Sequence, residues 1–456
     1  MNPQIFREYD IRGVVGRDLN EELAYMLGRA YASLAKDSSK QNIAIGYDVR
    51  HTSEPYAEAV ARGLSEEGVD CTIIGRCPSP QLYWTLYNKD FGGGIQITGS
   101  HNPPDMNGFK LCLGTHTLSG AQIQDLKTRI GKIGPNTTGQ GQIHRKDFTQ
   151  EYIQDLISKV KPHMGSRKVK VVVDAGNGAA GEAGPQVLRG LGVEVHELFC
   201  EPDGDFPNHH PDPTVMENLR ELSAKVRATG SDFGIGWDGD GDRIGVVDQN
   251  GQVIFGDMLL VIYARSVLAD VRGATVIGDV KCSSRLFQEI EKAGGKPLMW
   301  KTGHSLIKNK MREIGAELAG EMSGHIFFKH RFYGFDDAIY CAARLAEIVS
   351  CSEGPISNLL ADLPPAFATP EIRVDCPEEL KFQVATTAQT LFPEYKVETL
   401  DGVRIDFEHG WGLVRASNTQ PILVMRFEAD SEERLKAYQD LVTARIEKTL
   451  NDLKSK

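Results

Sequence analysis

Short β-branched runs alternate with amphipathic helical stretches through most of this chain, and that alternation confines it to layered α/β folds in which helices cover the faces of sheets. "NIAIGYDVR", "GVDCTIIG" and "GGGIQITG" read as strands. Leu23, Met26, Leu27, Ala30 and Leu34 recur at helical spacing ahead of them and place a helix on one face of their sheet. The stretch "KIGPNTTGQGQIHRK" has no apolar periodicity and reads as a linker. The pattern restarts beyond it with "KVKVVVD", "VEVHELF", the helix "ENLRELSAKVRA" and "DFGIGWDGDGDRIGVVD". A third set follows the turn "DQNGQ": helix "GDMLLVIYARSVLAD", strand "ATVIGDV", helix "SRLFQEIEKAGG" and then "AELAGEMSGH". "LPPAFATP" interrupts again. The tail has strands "EIRVDC", "GVRIDF" and "ILVMRFEA" and a last helix carrying Leu435, Tyr438, Val442 and Ile446, so it reads as a small α+β unit.

The expected architecture is therefore α/β: three similar domains, residues 1–146, 147–250 and 251–366, and a smaller C-terminal α+β domain, 367–456, around a central cleft. A chain of 456 residues can bury several cores. Its eight cysteines form no C-x-x-C pair, which indicates neither a zinc cluster nor a disulfide framework. No apolar run approaches the ~20 residues needed to span a bilayer, and the start "MNPQIFREYDIRG" lacks the apolar centre of a secretion signal. A cytoplasmic protein with no membrane partner is expected. The net charge of −11 repels polyanions at long range and argues against nucleic acid as a partner, while leaving room for a small anion bound by local cations. Oligomeric state is left open, a monomer included.

Each unit carries one polar, Gly-rich segment beside a strand, where open α/β sheets place ligand sites, so the four are expected to face one cleft. In "WDGDGDR", Asp238, Asp240 and Asp242 repel one another unless a cation lies between them, and Gly239 and Gly241 let the backbone curl so that their oxygens converge. Hard oxygen ligands suit Mg²⁺ or Ca²⁺. An EF-hand does not fit, because its turn glycine would fall on Arg243 and its bidentate Glu on Gln249. The alternative is a solvated acidic turn.

In "TGSHNP", Ser100 is not an esterase nucleophile elbow, since Thr98 and Asn102 stand where glycines are needed. His101 follows it directly and, on an extended chain, points away from the serine hydroxyl. A serine without a base can still carry phosphate if a metal and cations stabilise the transferring group. In "GEMSGH", Glu321, Ser323 and His325 alternate, so an extended segment would present all three on one face, with groups suited to sugar hydroxyls and proton transfer. "RASNTQP" offers Arg415, Ser417, Asn418 and Thr419 as an anion clamp. "DAGNGAAG" contains G-x-G-x-x-G after a strand, with Glu194 and Glu197 farther on, and leaves an NAD-dependent oxidoreductase as a rival of another class.

Four such motifs in this order, spread over essentially the whole chain, resemble the α-D-phosphohexomutases. "TGSHNP", "GEMSGH" with Met322, and "RASNT" are similar to the phosphomannomutase/phosphoglucomutase branch, with phosphoglucosamine mutase as the alternative; Gln420 stands where the branch commonly has Thr. "FREYDIRG", "VKC" and "KTGHS" match the same branch and nominate Tyr9, Arg12, Lys281 and His304. The resemblance implies an isomerase that interconverts hexose 1-phosphates and 6-phosphates, with hexose 1,6-bisphosphate as intermediate and activator. Ser100 would be carried as phosphoserine, and Mg²⁺ would be held by Asp238, Asp240 and Asp242 against its phosphoryl oxygen. Arg12, Lys110 and Arg243 would spread the transferring charge, with His325 or Lys110 as acid/base. Glu321, Ser323 and His325 would contact the sugar; Arg415, Ser417, Asn418 and Thr419 would grip the phosphate that does not react. A phosphatase using the same serine, or a sugar-phosphate binder without catalysis, are the competing readings.

Overall fold

A computed structural model describes residues 2–36, 42–135, 137, 139–417 and 421–455. The first sheet is mixed. Asn42–Tyr47 lies at its centre, parallel to Asp70–Arg76 on one side and Gly93–Ile97 on the other; Met106–Leu113 and Ile11–Val14 continue it antiparallel. Part of the segment read as a linker belongs to this sheet, because Ile143–Arg145 pairs parallel with Asp70–Arg76 at its edge. These three residues are solvent-exposed, which is why they carry no apolar signal.

The second sheet places Lys170–Asp174 between Glu194–Leu198 and Phe233–Trp237, all parallel, and Ile244–Asp248 folds back antiparallel on Phe233–Trp237. The third repeats the scheme: Thr275–Asp279 is parallel to Lys296–Trp300 and Leu318–Gly320, and Ile326–Phe328 returns antiparallel on Leu318–Gly320. The last unit is an antiparallel sheet built on Ile422–Ala429, Gly410–Ala416 and Val403–Phe407, with Lys381–Ala388 and Glu432–Lys454 packed on it.

This topology fixes where function can sit. In the first three units the polar motif is the turn of an antiparallel hairpin, residues 98–105, 238–243 and 321–325, and in the fourth the described strands Gly410–Ala416 and Ile422–Ala429 pair antiparallel on either side of the motif. The motifs do follow the carboxyl ends of strands, yet what comes next is a returning strand and not a helix, so each loop is tethered at both ends to one sheet.

The cores divide unequally. The first unit has its own core, containing Ile43, Ile95 and Phe109, and the last has another, containing Val403, Phe427 and Val442. A continuous core joins the second and third units and takes in part of the first, through residues such as Ala44, Leu82 and Trp84; the helix Gly256–Asp270 crosses it and is buried along most of its length. Among the described residues, no helix is long and apolar enough to cross a membrane. Seven of the eight cysteines are buried thiols and Cys351 is exposed.

Candidate active site

The first three turns and, from the last unit, Arg415 and Ser417 line one cleft of about 870 Å³, together with Arg12, Ser100, Arg243 and His325 among others. Ser100 is almost fully buried in its floor, and its Oγ donates to Asp238 Oδ2 at 2.9 Å. Asp238, Asp240 and Asp242 lie beneath that floor with no solvent exposure. The turn that carries them is closed by its own acid: Asp238 Oδ1 accepts from the backbone N–H groups of Asp242 and Arg243, both at 3.0 Å.

The three carboxylates bring ligand oxygens within 4.8 Å of one another. The Oδ1 atoms of Asp240 and Asp242 are buried without a hydrogen-bond donor. Orphaned, hard, negatively charged oxygens at this separation fit a divalent cation, so these residues could hold a metal ion. Burial, reinforced by Asp240 and Asp242, pushes the Asp238 carboxyl well above the usual carboxylate range. Asp240 goes the other way: burial alone would raise it, but the Lys110 ammonium, 2.5 Å from its Oδ2, holds it low. Lys110 also donates to Asp242. Against the desolvation that would lower it, these carboxylates keep Lys110 raised and therefore protonated.

Two readings of local geometry change. His101 does not point away from Ser100; its Nδ1 lies 3.2 Å from the serine Oγ. The chain is not extended there, because Ser100 has φ +50° and turns the next side chain back toward its own. Burial, and then the charges of Arg243 and Arg12, drive the His101 pKa well down, so its ring is neutral. Likewise Glu321, Ser323 and His325 do not share the face of a strand. They sit on a tight turn closed by Glu321 N–H to His325 O at 2.8 Å, with Gly324 at φ +91°. Ser323 Oγ donates to Glu321 Oε2 at 2.8 Å, and Glu321 Oε1 accepts from Gly303 N–H at 2.8 Å.

That turn lies directly against the aspartate turn: Ile244 N–H donates to Gly324 O at 3.1 Å, and Arg243 Nε donates to His325 Nε2 at 2.9 Å. His325 Nδ1 faces Asp336 Oδ2 at 3.1 Å, and its ring stacks on that of His304, 5.5 Å between centroids. Tyr9 meets His304 edge-on and donates its hydroxyl to Thr302 O at 2.8 Å. Arg12 pairs with Asp10 at 2.5 Å. On the opposite wall, Lys281 pairs with Glu371 at 2.8 Å and Arg415 Nε with Asp401 at 3.1 Å. Ser417 lines the same wall. Asn418 and Thr419 lie outside the described residues.

Several residues at this site escaped sequence reasoning. Ser79 donates its hydroxyl to Asp240 and its N–H to Asp240 O at 2.8 Å, tying the start of the helix Ser79–Asn88 to the aspartate turn. Asp336, with Lys308 at 2.9 Å from its Oδ1, backs both histidines. Neither belongs to a recognisable motif, and only their partners mark them, Asp240 of the second unit for Ser79 and residues of its own unit for Asp336. The dinucleotide reading of "DAGNGAAG" loses its ground here. The start of the helix Ala180–Leu191 is covered by the aspartate turn: Ala179 N–H donates to Gly239 O at 3.0 Å, and a Cβ on Gly178 would lie 2.8 Å from the same oxygen. No N-terminal amide is left exposed there in the way a pyrophosphate needs.

The chain matches, in order, the phosphoglucomutase/phosphomannomutase alpha/beta/alpha domains I (residues 3–137), II (150–251) and III (255–367) and the C-terminal domain of the same family (371–445). The chain belongs to the phosphoglucomutase/phosphomannomutase family. Its relatives include a phosphomannomutase/phosphoglucomutase of Pseudomonas putida, 48% identical over 97% of this chain and 95% of that one. A phosphoglucomutase of Neisseria gonorrhoeae is 43% identical over 97% and 96%. Among solved structures, a phosphoglucomutase/phosphomannomutase family protein from Burkholderia thailandensis superposes with a TM-score of 0.91 at 41% identity, covering 99% of this chain and 98% of that one. The family's four-domain arrangement is thus the arrangement found here, with residues of each domain lining the cleft.

Proposed function

We propose that this enzyme interconverts hexose 1-phosphate and hexose 6-phosphate, of glucose, mannose or both, with Ser100 as the phosphoryl carrier. The single observation that carries the reading is Ser100 Oγ at 2.9 Å from Asp238, above three buried carboxylates and across the cleft from Arg415. With Ser100 phosphorylated, a free sugar hydroxyl attacks phosphorus, the P–Oγ bond breaks, and the hydroxyl proton passes to a base. The resulting 1,6-bisphosphate turns over in the cleft. Ser100 Oγ then attacks the other phosphoryl group, the P–O bond to the sugar breaks, and the proton returns to the sugar oxygen.

A divalent cation at Asp238, Asp240 and Asp242, Mg²⁺ in this reading, would neutralise charge on the transferring group. His325 is favoured over Lys110 as the base. Lys110 is held as an ammonium by two carboxylates, whereas His325 Nε2 can take the proton once Arg243 Nε, which now donates to it, gives way. Lys110 and Arg12 contribute fixed positive charge. Glu321 and Ser323 meet sugar hydroxyls that occupy equivalent places in both orientations, and Arg415 with Ser417, Asn418 and Thr419 holds the phosphate that does not react. We take residues 1–146, 147–250, 251–366 and 367–456 as the four units, the last closing over substrate to exclude water.

The test is a coupled assay of the purified protein with glucose, mannose and glucosamine 1-phosphates, Mg²⁺ and a trace of hexose 1,6-bisphosphate. Ser100→Ala should lose more than about 10⁴-fold in kcat, the scale on which loss of a covalent carrier falls. Near-normal turnover by that variant removes the carrier role. Stoichiometric release of inorganic phosphate by the wild type would make the protein a phosphatase instead.

A further inference from the structure

The serine loop stands in a conformation that needs explaining. Ser100 has φ +50°, a left-handed backbone that an L-residue with a side chain holds only when its surroundings over-determine it. What over-determines it is Arg50, which follows the strand Asn42–Tyr47 and is 3% exposed. Its Nη2 donates to Ser100 O at 2.8 Å and Asn102 O at 2.6 Å; its Nη1 donates to Pro103 O at 2.6 Å and Met106 O at 2.8 Å. Its Nε donates to Asp48 Oδ2 at 3.2 Å. A guanidinium has five N–H donors in a rigid fork, and here four of them go to backbone carbonyls of one seven-residue loop, 100–106.

The loop is gripped from its other side as well. Asp48 Oδ2 accepts from Thr98 Oγ1 at 2.8 Å and from Gly99 N–H at 3.2 Å, and Thr98 Oγ1 in turn accepts Ser100 N–H at 2.7 Å. The carbonyls of the loop thus face the guanidinium, while Gly99 N–H meets the carboxylate directly and Ser100 N–H reaches it through Thr98 Oγ1, and the two charged groups hold each other. The fit is close enough to exclude a side chain at Gly99, whose Cβ would lie 2.5 Å from Arg50 Cζ. Phe206, from the second unit, covers the guanidinium with its ring at 5.1 Å. Arg50 is not among the residues that line the cleft, so it does not reach substrate.

We propose that Arg50, anchored by Asp48, is a positioning residue: it fixes the backbone of the serine loop so that Ser100 Oγ faces Asp238, and thereby sets the rate of phosphoryl transfer and not the affinity for sugar phosphate. The proposal rests on the reading of Ser100 as the phosphoryl carrier. The first variant to make is Arg50→Lys, which keeps the charge and loses the fork. Three readouts are needed: kcat and KM for glucose 1-phosphate, the single-turnover rate at which glucose 1,6-bisphosphate phosphorylates Ser100, followed by intact mass, and the Tm.

Well below the Tm of the variant, kcat and the phosphorylation rate should both fall about 10²-fold, the cost of an ångström-scale misplacement of a reacting group. KM should stay within about 3-fold. Gly99→Ala, which drives a methyl group into the guanidinium, should move the same two rates in the same direction and keeps the question answerable if Arg50→Lys does not fold. A wild-type phosphorylation rate in the folded variants overturns the proposal, as does a kcat loss matched by the unfolded fraction or accompanied by an equal rise in KM. If the wild type itself acquires no phosphoryl group on Ser100, the carrier reading fails first, an outcome distinct from a labelled wild type and an equally fast Arg50→Lys.

Discussion

At the serine end of the cleft, Ser100, Lys110 and three aspartates are buried between the first and second units, with Lys110 paired to two of the carboxylates. At the phosphate end, Arg415 and Lys281 are each paired with a carboxylate at the cleft wall, Asp401 and Glu371, and the unit bearing Arg415 has a core of its own. That unit meets the third through Arg404, which stacks over Trp411 at 3.7 Å and donates to Val280 O and Cys282 O. The two ends divide the work between rigidity and exchange. Moving a charge at the serine end would strand it in a low-dielectric interior, which costs several kcal/mol. Under the proposed function, a phosphate arriving at the other end would take the place of a carboxylate partner and leave the cation satisfied. Lys281 holds Glu371 down at about 2, so that carboxylate stays charged and would reclaim the lysine on release.

The contrast can be broken by substitution. The largest effect is expected from Asp238→Asn, which takes a carboxyl oxygen away from Ser100 Oγ and from the candidate cation site: kcat should fall about 10³-fold with KM little changed, as for loss of one preorganised electrostatic partner. A variant keeping a tenth of wild-type kcat would show that the serine end is not preorganised through Asp238. Arg415→Ala should behave in the opposite sense, raising KM about 10- to 100-fold, the worth of a charge-assisted hydrogen bond, while kcat stays within about 5-fold. A fall in kcat at unchanged KM would move Arg415 out of the binding role.

The smallest effect concerns how the inner units cohere. Asp337, fully buried, accepts the Tyr152 hydroxyl at 2.9 Å across the second and third units and caps the helix Ala338–Ser350 through Tyr340 N–H. Burial pushes its carboxyl up to about 7, from an ordinary value near ~4. The fold favours its protonated form, so the stability it contributes is full below about pH 4 and lost as pH rises through about 7. Asparagine cannot ionise. Measured from pH 5 to 8.5, the Tm of the wild type should fall relative to that of Asp337→Asn by about 2 °C or more, and a constant difference between the two would show that Asp337 stays in one protonation state.

Each of the four polar motifs was legible as a contiguous segment between apolar strands, and the helix Gly256–Asp270 was legible from its long apolar run, which is buried along most of its length. What stayed illegible works through contacts between distant positions. Arg50 reads as the charged end of a strand, Ser79 as one residue of a Pro-rich helix start, and Asp336 as half of an Asp pair; their meaning lies in partners 50 to 161 residues away for the first two and in two histidines of the third unit for the last. The misplacement of His101 has a simpler cause: one positive φ at Ser100 reverses a side-chain direction that strand alternation would otherwise dictate. Ile143–Arg145 was missed because an exposed edge strand buries nothing.

Gly239 shows how narrow the joint between the first two units is. A Cβ there would strike the carbonyl oxygen of Ser100 itself, so the aspartate turn rests bare backbone on the residue it serves. A single methyl group would act as a wedge, lifting one folded layer from another at the point where the chemistry needs them in register. Tolerance to mutation around this cleft should therefore be poorest at some positions that possess no functional group at all.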